Sequence, residues 1–97
     1  MAYCYILYSH SLNRFYIGST QDMPESRLTR HLLKGYGTHS FSAKANDWEI
    51  FHAIVCNDIK QAREIERHVK KMKGSTYIKN LKKYPEMTQK LLKRFGD

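Results

Sequence analysis

The feature that most constrains the fold is a run near the N-terminus with apolar or aromatic side chains on both of its faces. In an extended conformation it places Tyr3, Tyr5 and Leu7 on one face and Cys4, Ile6 and Tyr8 on the other. Successive side chains of a strand point to opposite faces, so a strand of this composition is one that other elements cover on both sides. We therefore predict a covered β-strand over 3–9.

A second strand is predicted after a short polar turn. The turn, His10 to Arg14, contains Asn13, which tolerates a left-handed backbone, and Phe15 to Gly18 then resumes the extended pattern. The two runs predict an antiparallel hairpin. Gly18 is expected to let another backbone, or a phosphate, approach the end of the strand closely.

A helix is predicted to begin near Asp22 and to end at Gly35. Asp22 can accept a capping hydrogen bond, Glu25 follows three residues later as in a capping box, and Gly35 suits the positive φ of a C-terminal cap. Residues 36–47 show little periodicity and predict an exposed loop. The alternation over 48–56 predicts a third strand.

Three further helices are predicted in the second half of the chain. Asn57 and Asp58 cap the first, whose apolar residues recur at helical spacing: Ala62, Ile65, Val69 and Met72. A break at 74–76 separates it from a short helix over 77–81, and Pro85 begins the last helix.

The predicted order is therefore β-β-α-β-α-α-α. It corresponds to an α+β fold in which a small three-stranded antiparallel sheet is flanked by helices. We predict a single domain over 1–97, with a core of about residues 3–81 and a helical tail of about residues 85–95.

Length and composition bound the class of protein. With 97 residues, of which 41% are hydrophobic, the chain is long enough for one modest core. Charged residues interrupt every apolar run before the roughly 20 residues of a membrane helix, and no basic leader precedes the first strand. Cys4 and Cys56 lie in apolar runs and are expected to be buried thiols. We expect a cytoplasmic protein with no membrane partner.

Positive charge is concentrated in the last third of the chain. The first 59 residues carry equal numbers of basic and acidic side chains, so the whole net charge of +8 belongs to residues from Lys60 onward. This asymmetry is expected of a protein that binds a polyanion, although a solvated, lysine-rich helix face would give the same composition. The candidate phosphate contacts are Lys70, Lys71, Lys73, Lys79, Lys82, Lys83 and the loop residue His39.

Three charged or titratable groups are placed at the edge of a buried helix face. Arg27 and His31 are four residues apart and share one side of the first helix. Arginine offers a planar fork to phosphate oxygens, and histidine can donate a hydrogen bond or pass a proton. Glu66 lies at the corresponding edge of the second helix, where a carboxylate is costly unless it meets a cation or a metal. The alternative is a solvated flank, with Glu66 paired to Arg63 or Lys70.

Tyrosines are frequent on the predicted hairpin. Tyr3 and Tyr5 share one face of the first strand, Tyr8 lies on the other, and Tyr16 follows on the second strand. Each buried hydroxyl needs a hydrogen-bond partner, so these residues suggest hydroxyls directed at something polar. The alternative is a set of sheet aromatics whose hydroxyls reach solvent, because tyrosine is also a good strand former.

The order of these elements resembles the signature of the GIY-YIG nuclease superfamily. The likeness consists of Tyr3-Cys4-Tyr5, Tyr16-Ile17-Gly18, Arg27-x-x-x-His31 and Ala62-x-x-x-Glu66-x-x-Val69-Lys70, and it spans about residues 3–81. It is a likeness to small stand-alone bacterial members, grouped with excinuclease-type catalytic domains. The first motif departs from the family's Gly-Ile-Tyr but keeps its tyrosine.

The resemblance implies a divalent-metal-dependent endonuclease that hydrolyses DNA phosphodiester bonds with one Mg²⁺ or Mn²⁺ ion per site. It implies that Tyr5 or Tyr16 activates or orients the attacking water, and the sequence does not distinguish the two. Arg27 would stabilise the phosphate in the transition state with His31 assisting, and Glu66 would ligate the metal. A role in DNA repair or recombination is the corresponding expectation.

Two other functions are compatible with the same residues. One is a nucleic-acid-binding module of the same fold without significant catalysis, and the other is a basic protein-interaction domain whose tyrosines only pack. The sequence leaves open the choice between DNA and RNA, the substrate preference, the physiological metal and the pathway. It also leaves open whether the chain is a monomer or a weak dimer.

Overall fold

The computed structural model describes residues 1–33, 44–72 and 74–96. Within them, one antiparallel sheet contains the strands β1 (Ala2–Ser9), β2 (Arg14–Thr20) and β3 (Trp48–Cys56). Their order in the sheet is β2-β1-β3, so β1 is central and β2 is an edge strand. The predicted hairpin is confirmed, and Asn13 in its turn has a left-handed φ of 52°.

Four helices complete the described part of the fold: α1 (Pro24–Leu32), α2 (Ile59–Met72), α3 (Ser75–Lys83) and α4 (Pro85–Arg94). The predicted order β-β-α-β-α-α-α and the α+β class are therefore confirmed. The third helix extends beyond the predicted 77–81 at both ends. The first helix ends at Leu32, with Leu33 as its C-cap residue, and so before the predicted Gly35. Gly35 itself, and residues 36–43 of the predicted loop, lie outside the described residues.

The start of α1 differs from the predicted capping box. Met23, not Asp22, is the N-cap residue, and its side chain makes no capping hydrogen bond. The Asp22 backbone N–H donates to the Thr20 hydroxyl at 2.9 Å, and the Asp22 carboxylate lies 3.6 Å from Arg27. The prediction is wrong because the Thr20 hydroxyl fixes the turn out of β2, which leaves the Asp22 carboxylate beside the arginine side chain.

The start of α2 follows the sequence prediction. The Gln61 backbone N–H donates to the Asp58 carboxylate at 2.8 Å, which satisfies one of the N–H groups that a helix leaves unpaired at its start. A break between α2 and α3 is present but is shorter than the predicted 74–76, because α2 ends at Met72, Gly74 is the N-cap residue of α3 and Ser75 is already helical.

Core side chains cover both faces of the sheet. One face packs against α2, α3 and α4 through a large cluster of buried residues: Ala2, Cys4, Ile6, Ile54, Cys56, Ala62, Ile65, Val69, Ile78, Leu81 and Leu91. The other face carries a smaller buried cluster of Tyr5, Leu7, Ala45 and Trp48, with Tyr16 and Leu28 at its margin. The prediction that β1 is covered on both sides is confirmed. We call these the α2 face and the α1 face of the sheet.

The last helix and the cysteines belong to the larger cluster. Leu91 is buried there, and Leu92 and Phe95 pack against it, so the apolar stripe of α4 faces the domain. Cys4 and Cys56 are free, buried thiols, as predicted, and burial raises the pKa of both. No helix among the described residues is long and apolar enough to cross a membrane.

Candidate active site

Two tyrosines and a histidine meet on the α1 face of the hairpin. The Tyr5 hydroxyl oxygen and His31 Nε2 are 3.1 Å apart in a buried hydrogen bond. The Tyr16 ring packs edge-on against the His31 ring, with centroids 4.6 Å apart. Tyr5 and His31 are 3% and 1% exposed, whereas Tyr16 is half-buried. Three of the predicted site residues are therefore brought together.

The glycine of the second strand makes room for this arrangement. Gly18 pairs with Tyr5 across the hairpin, and a Cβ atom at Gly18 would lie 2.6 Å from both Cζ and the hydroxyl oxygen of Tyr5. The Tyr5 ring thus occupies the space that a side chain would need. Gly18 admits a tyrosine ring here, in place of the backbone or phosphate that its position in the sequence suggested.

The environment of His31 favours its neutral form. Burial, and secondarily the positive charge of Arg27, lower the pKa of His31 from its ordinary value of 6.5. In the tautomer with its proton on Nδ1, the neutral ring accepts a hydrogen bond from the Tyr5 hydroxyl through Nε2, and in the other tautomer it donates one. In the first tautomer, His31 Nε2 is the base that attracts the Tyr5 proton.

Arg27 lies one turn before His31 and faces the same side of the hairpin. Its Nε donates to the Thr20 hydroxyl at 2.8 Å, and a terminal nitrogen lies 3.6 Å from Asp22. A guanidinium held in this way has a fixed orientation, as a bidentate phosphate contact requires. Sequence reasoning missed Thr20. The register of the hairpin would have indicated it, because Thr20 pairs with Tyr3 on the face that carries Tyr5.

Glu66 lies in a different environment, on the surface of α2. Its Oε2 is 2.6 Å from Lys70 Nζ, and its side chain is 20% exposed. The ion pair that the sequence offered as the alternative for Glu66 is therefore formed. The carboxylate borders a shallow pocket of about 360 Å³, which we call the α2 pocket; it is lined by Ser19, Arg63, Glu66, Arg67 and Lys70.

The α2 pocket and the tyrosine cluster lie on opposite faces of the hairpin. Ser19 lines the pocket and pairs with Cys4, whose side chain belongs to the α2 face, whereas Thr20 pairs with Tyr3 and faces α1. Both faces meet at the open edge of β2, since it is an edge strand. The predicted site residues Tyr5, Tyr16, Arg27 and His31 thus share the α1 face. Glu66 lies beside β2 on the α2 face.

The predicted phosphate contacts are distributed over α2 and α3. Those that the structure describes are all exposed: Lys70, Lys71, Lys79, Lys82 and Lys83. Lys82 rests on an aromatic ring, with its Nζ 4.6 Å from the centre of Phe51. Lys73 and His39 lie outside the described residues. Contact of these side chains with nucleic acid stays a prediction.

In the part of the chain that the structure describes, the carboxylate that lines the α2 pocket and could meet a divalent cation is that of Glu66. Among the described residues, no three His, Cys, Asp or Glu side chains form a group that could hold a metal ion. Mg²⁺ commonly uses one or two carboxylates and takes its remaining oxygens from water and substrate phosphates. The Lys70 ammonium contacts Glu66 Oε2, and a metal ion would have to replace it there. By its chemistry, the Glu66 carboxylate could hold a metal ion that is shared with a phosphate group.

An α+β domain with tyrosines, an anchored arginine and a carboxylate beside one edge strand suits a nuclease. The sequence profile of the GIY-YIG catalytic domain matches residues 1–84, and the chain belongs to the GIY-YIG family. Members of this family are endonucleases that act on nucleic acid, so a nuclease-type function follows. No curated protein and no solved structure gave a match to the chain.

Proposed function

We propose that the protein is a divalent-metal-dependent endonuclease that hydrolyses phosphodiester bonds in DNA. The observation that carries the proposal is the placement of Arg27 and Glu66 on the two sides of β2, the strand that also supplies Tyr16. A role in DNA repair or recombination is the finer part of the proposal, and it is supported by the resemblance to excinuclease-type catalytic domains.

In this proposal, Tyr16 is the tyrosine that meets the attacking water. Tyr16 is half-buried, whereas Tyr5 is 3% exposed and its hydroxyl is engaged with His31. His31 packs against the Tyr16 ring and shares a hydrogen bond with the Tyr5 hydroxyl. Because the ordinary pKa of tyrosine is about 10, Tyr16 orients the water at neutral pH and takes its proton only where a nearby cation lowers that pKa.

Arg27 is the residue that meets the scissile phosphate. Its guanidinium is held through Nε by Thr20, so it can stabilise charge that develops on the phosphate oxygens without reorganising in the transition state. A divalent cation on Glu66 would supply further charge stabilisation and would lower the pKa of a bound water. Glu66 would then exchange its contact with Lys70 for one with the cation.

The direct test measures cleavage of labelled linear, supercoiled, flap and single-stranded substrates with and without Mg²⁺ or Mn²⁺. We expect cleavage of at least one substrate, and only with metal. Glu66→Gln is expected to lower the rate by about 100-fold or more, since a group that serves the transition-state charge is lost. Glu64→Gln removes the same charge from the same helix outside the α2 pocket and is expected to change the rate by less than about threefold.

Two outcomes would contradict the proposal. The first is the absence of cleavage with every substrate and metal. The second is cleavage that is unchanged in both Glu66→Gln and Arg27→Ala, because activity that survives both substitutions belongs to a contaminating nuclease.

A nucleic-acid-binding module without turnover is the second candidate function. The observation in its favour is the Glu66–Lys70 ion pair at 2.6 Å, which satisfies the carboxylate without a metal. This candidate predicts salt-dependent binding of nucleic acid and no metal-dependent cleavage. The cleavage assay separates the two, because binding without metal-dependent cleavage is expected only of the module.

A further inference from the structure

We propose that the α2 pocket is a binding subsite for a nucleic-acid backbone phosphate next to the scissile one. Its lining combines three cations and a hydroxyl with a single carboxylate. Because the ligand is taken to be nucleic acid, this inference rests on the proposed function. It assigns substrate binding to Arg63 and Arg67, which have no part in the hydrolysis step itself.

The cations of the pocket lie on one face of α2. Arg63, Arg67 and Lys70 follow one another at intervals of four and three residues, which brings their side chains to the same side of a helix. Both arginines are exposed, and within residues 1–33, 44–72 and 74–96 neither has an ion-pair partner. Like charges at this spacing repel each other, and an anion bound between them would relieve that repulsion.

The donors of the pocket match a phosphate group in kind. Guanidinium groups bind phosphate oxygens through paired N–H donors, and a serine hydroxyl can add a further hydrogen bond. Lys70 is engaged with Glu66 at 2.6 Å. A divalent cation on the Glu66 carboxylate would release the Lys70 ammonium, which could then serve the same phosphate as a third positive group.

The pocket is joined to the Arg27 site by two successive residues of β2. Ser19 lines the pocket, and Thr20 holds Arg27 on the opposite face of this edge strand. A nucleic-acid strand that crosses the open edge of β2 would therefore present one phosphate to Arg27 and a neighbouring phosphate to Arg63 and Arg67.

Binding of a fluorescently labelled DNA duplex in EDTA, measured by anisotropy over a series of salt concentrations, tests the subsite without turnover. Arg63→Gln/Arg67→Gln is expected to bind about tenfold more weakly at low salt, and its log–log salt slope should be smaller by about 0.9, the value for one lost phosphate contact. Both substituted positions are exposed, so the melting temperature should stay at that of the wild type.

The matched control is Lys90→Gln/Lys93→Gln, which removes the same charge from exposed positions of α4 and should also keep the wild-type melting temperature. It is expected to leave the salt slope unchanged, because no phosphate subsite is assigned there. Equal losses of affinity and slope in the two double variants would show a delocalised attraction and would overturn the subsite.

Glu66 provides a second readout of opposite sign. Without metal, its carboxylate repels a phosphate bound in the same pocket, so Glu66→Gln is expected to bind the duplex several-fold more tightly in EDTA. Glu64→Gln is expected to bind like the wild type. If the two variants bind equally, the phosphate does not lie beside Glu66, and the inference is wrong.

Inorganic phosphate, compared with NaCl at equal ionic strength, separates a backbone phosphate from a free one. We expect it to displace the duplex no better than chloride. If low concentrations of phosphate displaced the duplex from the wild type but not from Arg63→Gln/Arg67→Gln, the pocket would bind a small phosphate ligand. That result would overturn the inference.

The binding and cleavage results fail independently of one another. Suppose that the protein cuts no substrate, and that Arg63→Gln/Arg67→Gln weakens binding while the control double variant does not. The phosphate subsite would then be supported, and the proposed endonuclease function would be wrong. Suppose instead that cleavage requires metal and Glu66, and that Arg63→Gln/Arg67→Gln and Lys90→Gln/Lys93→Gln bind DNA equally well. Only the phosphate subsite would then be wrong.

Discussion

The two faces of the hairpin differ in what holds their polar groups. On the α1 face, Tyr5 and His31 are buried and hydrogen-bonded to each other, and Thr20 anchors Arg27. On the α2 face, Glu66 and Lys70 form an ion pair at the helix surface. A buried hydrogen bond is costly to leave unmade, whereas a surface ion pair contributes little and exchanges partners easily. We infer that the α1 face is preorganised and that the α2 face adapts to metal and substrate.

Removing the cation of the preorganised face is expected to have the largest effect. Arg27→Ala should lower kcat by about 100- to 1,000-fold, because a positioned donor to the transition state is lost. Arg27→Lys should recover little of this, since a lysine cannot reproduce a planar fork held through Nε. Arg14→Ala removes the same charge from an exposed position on β2 and serves as the control. Wild-type activity in Arg27→Lys would show that charge alone matters and would end the distinction between the faces.

The two tyrosines divide the α1 face into a reacting part and a supporting part. Tyr16→Phe should lower kcat by about 100-fold, because it removes the hydroxyl that is proposed to orient the water. Tyr5→Phe takes the hydroxyl from a buried bond with His31, so it should cost about 1–3 kcal/mol of stability and less activity than Tyr16→Phe. Urea unfolding measures the free energy of unfolding, and single-turnover cleavage measures the rate of the chemical step. The reverse pattern would assign the attacking water to Tyr5.

Gly18→Ala tests how rigid the α1 face is. The new methyl group would meet the Tyr5 ring at 2.6 Å, so the ring must move and its bond to His31 must lengthen. Overpacking of this kind costs about 1–3 kcal/mol, which urea unfolding can detect. Gly74→Ala is the matched control, because the nearest atom to its new Cβ is 3.7 Å away; its cost should be below about 1 kcal/mol. Equal stability of the two variants would mean that the Tyr5 ring moves freely.

The sequence was sufficient to predict the order of the elements that the structure describes, because both faces of β1 are apolar or aromatic and the apolar residues of α2 recur at helical spacing. Local capping was predicted correctly at Asp58 and wrongly at Asp22. Both are aspartates shortly before a helical run, and they differ through a local hydrogen bond, since the hydroxyl of Thr20, two residues earlier, fixes the turn that contains Asp22.

The candidate site was predicted in its residue types and only partly in its geometry. Arg27 and His31 do face the hairpin together, as helical spacing indicated. The position of Glu66 on the other face could not be read from spacing, because it depends on the face of the sheet that α2 covers, and its neighbours depend on the register of β2. A slip of one residue would exchange the faces of Ser19 and Thr20, and with them the surroundings of Glu66 and Arg27.

The smallest effect is expected in the acid stability of the α1 face, where Asp47 joins the hairpin to the segment before β3. One oxygen of Asp47 accepts a hydrogen bond from the Ser9 hydroxyl at 2.6 Å, and the other accepts one from the Ser11 backbone N–H at 2.7 Å. These hydrogen bonds lower the pKa of the Asp47 carboxyl to about 2. The next residue, Trp48, is buried in the same cluster as Tyr5, so the contact supports the preorganised face.

Because the pKa of Asp47 is lower in the folded state, its stabilising contribution is fully present above the unfolded value of about 3.9 and is lost as the pH falls towards 2. Asp47→Asn should therefore unfold at lower urea concentration than the wild type at about pH 7, and the difference should close on acidification, where both proteins carry a neutral group. Urea midpoints at several pH values between these limits measure the trend. A difference that stays constant with pH would show that the charge of Asp47 does not stabilise the α1 face, and that shape and hydrogen-bonding capacity alone fix this end of the hairpin.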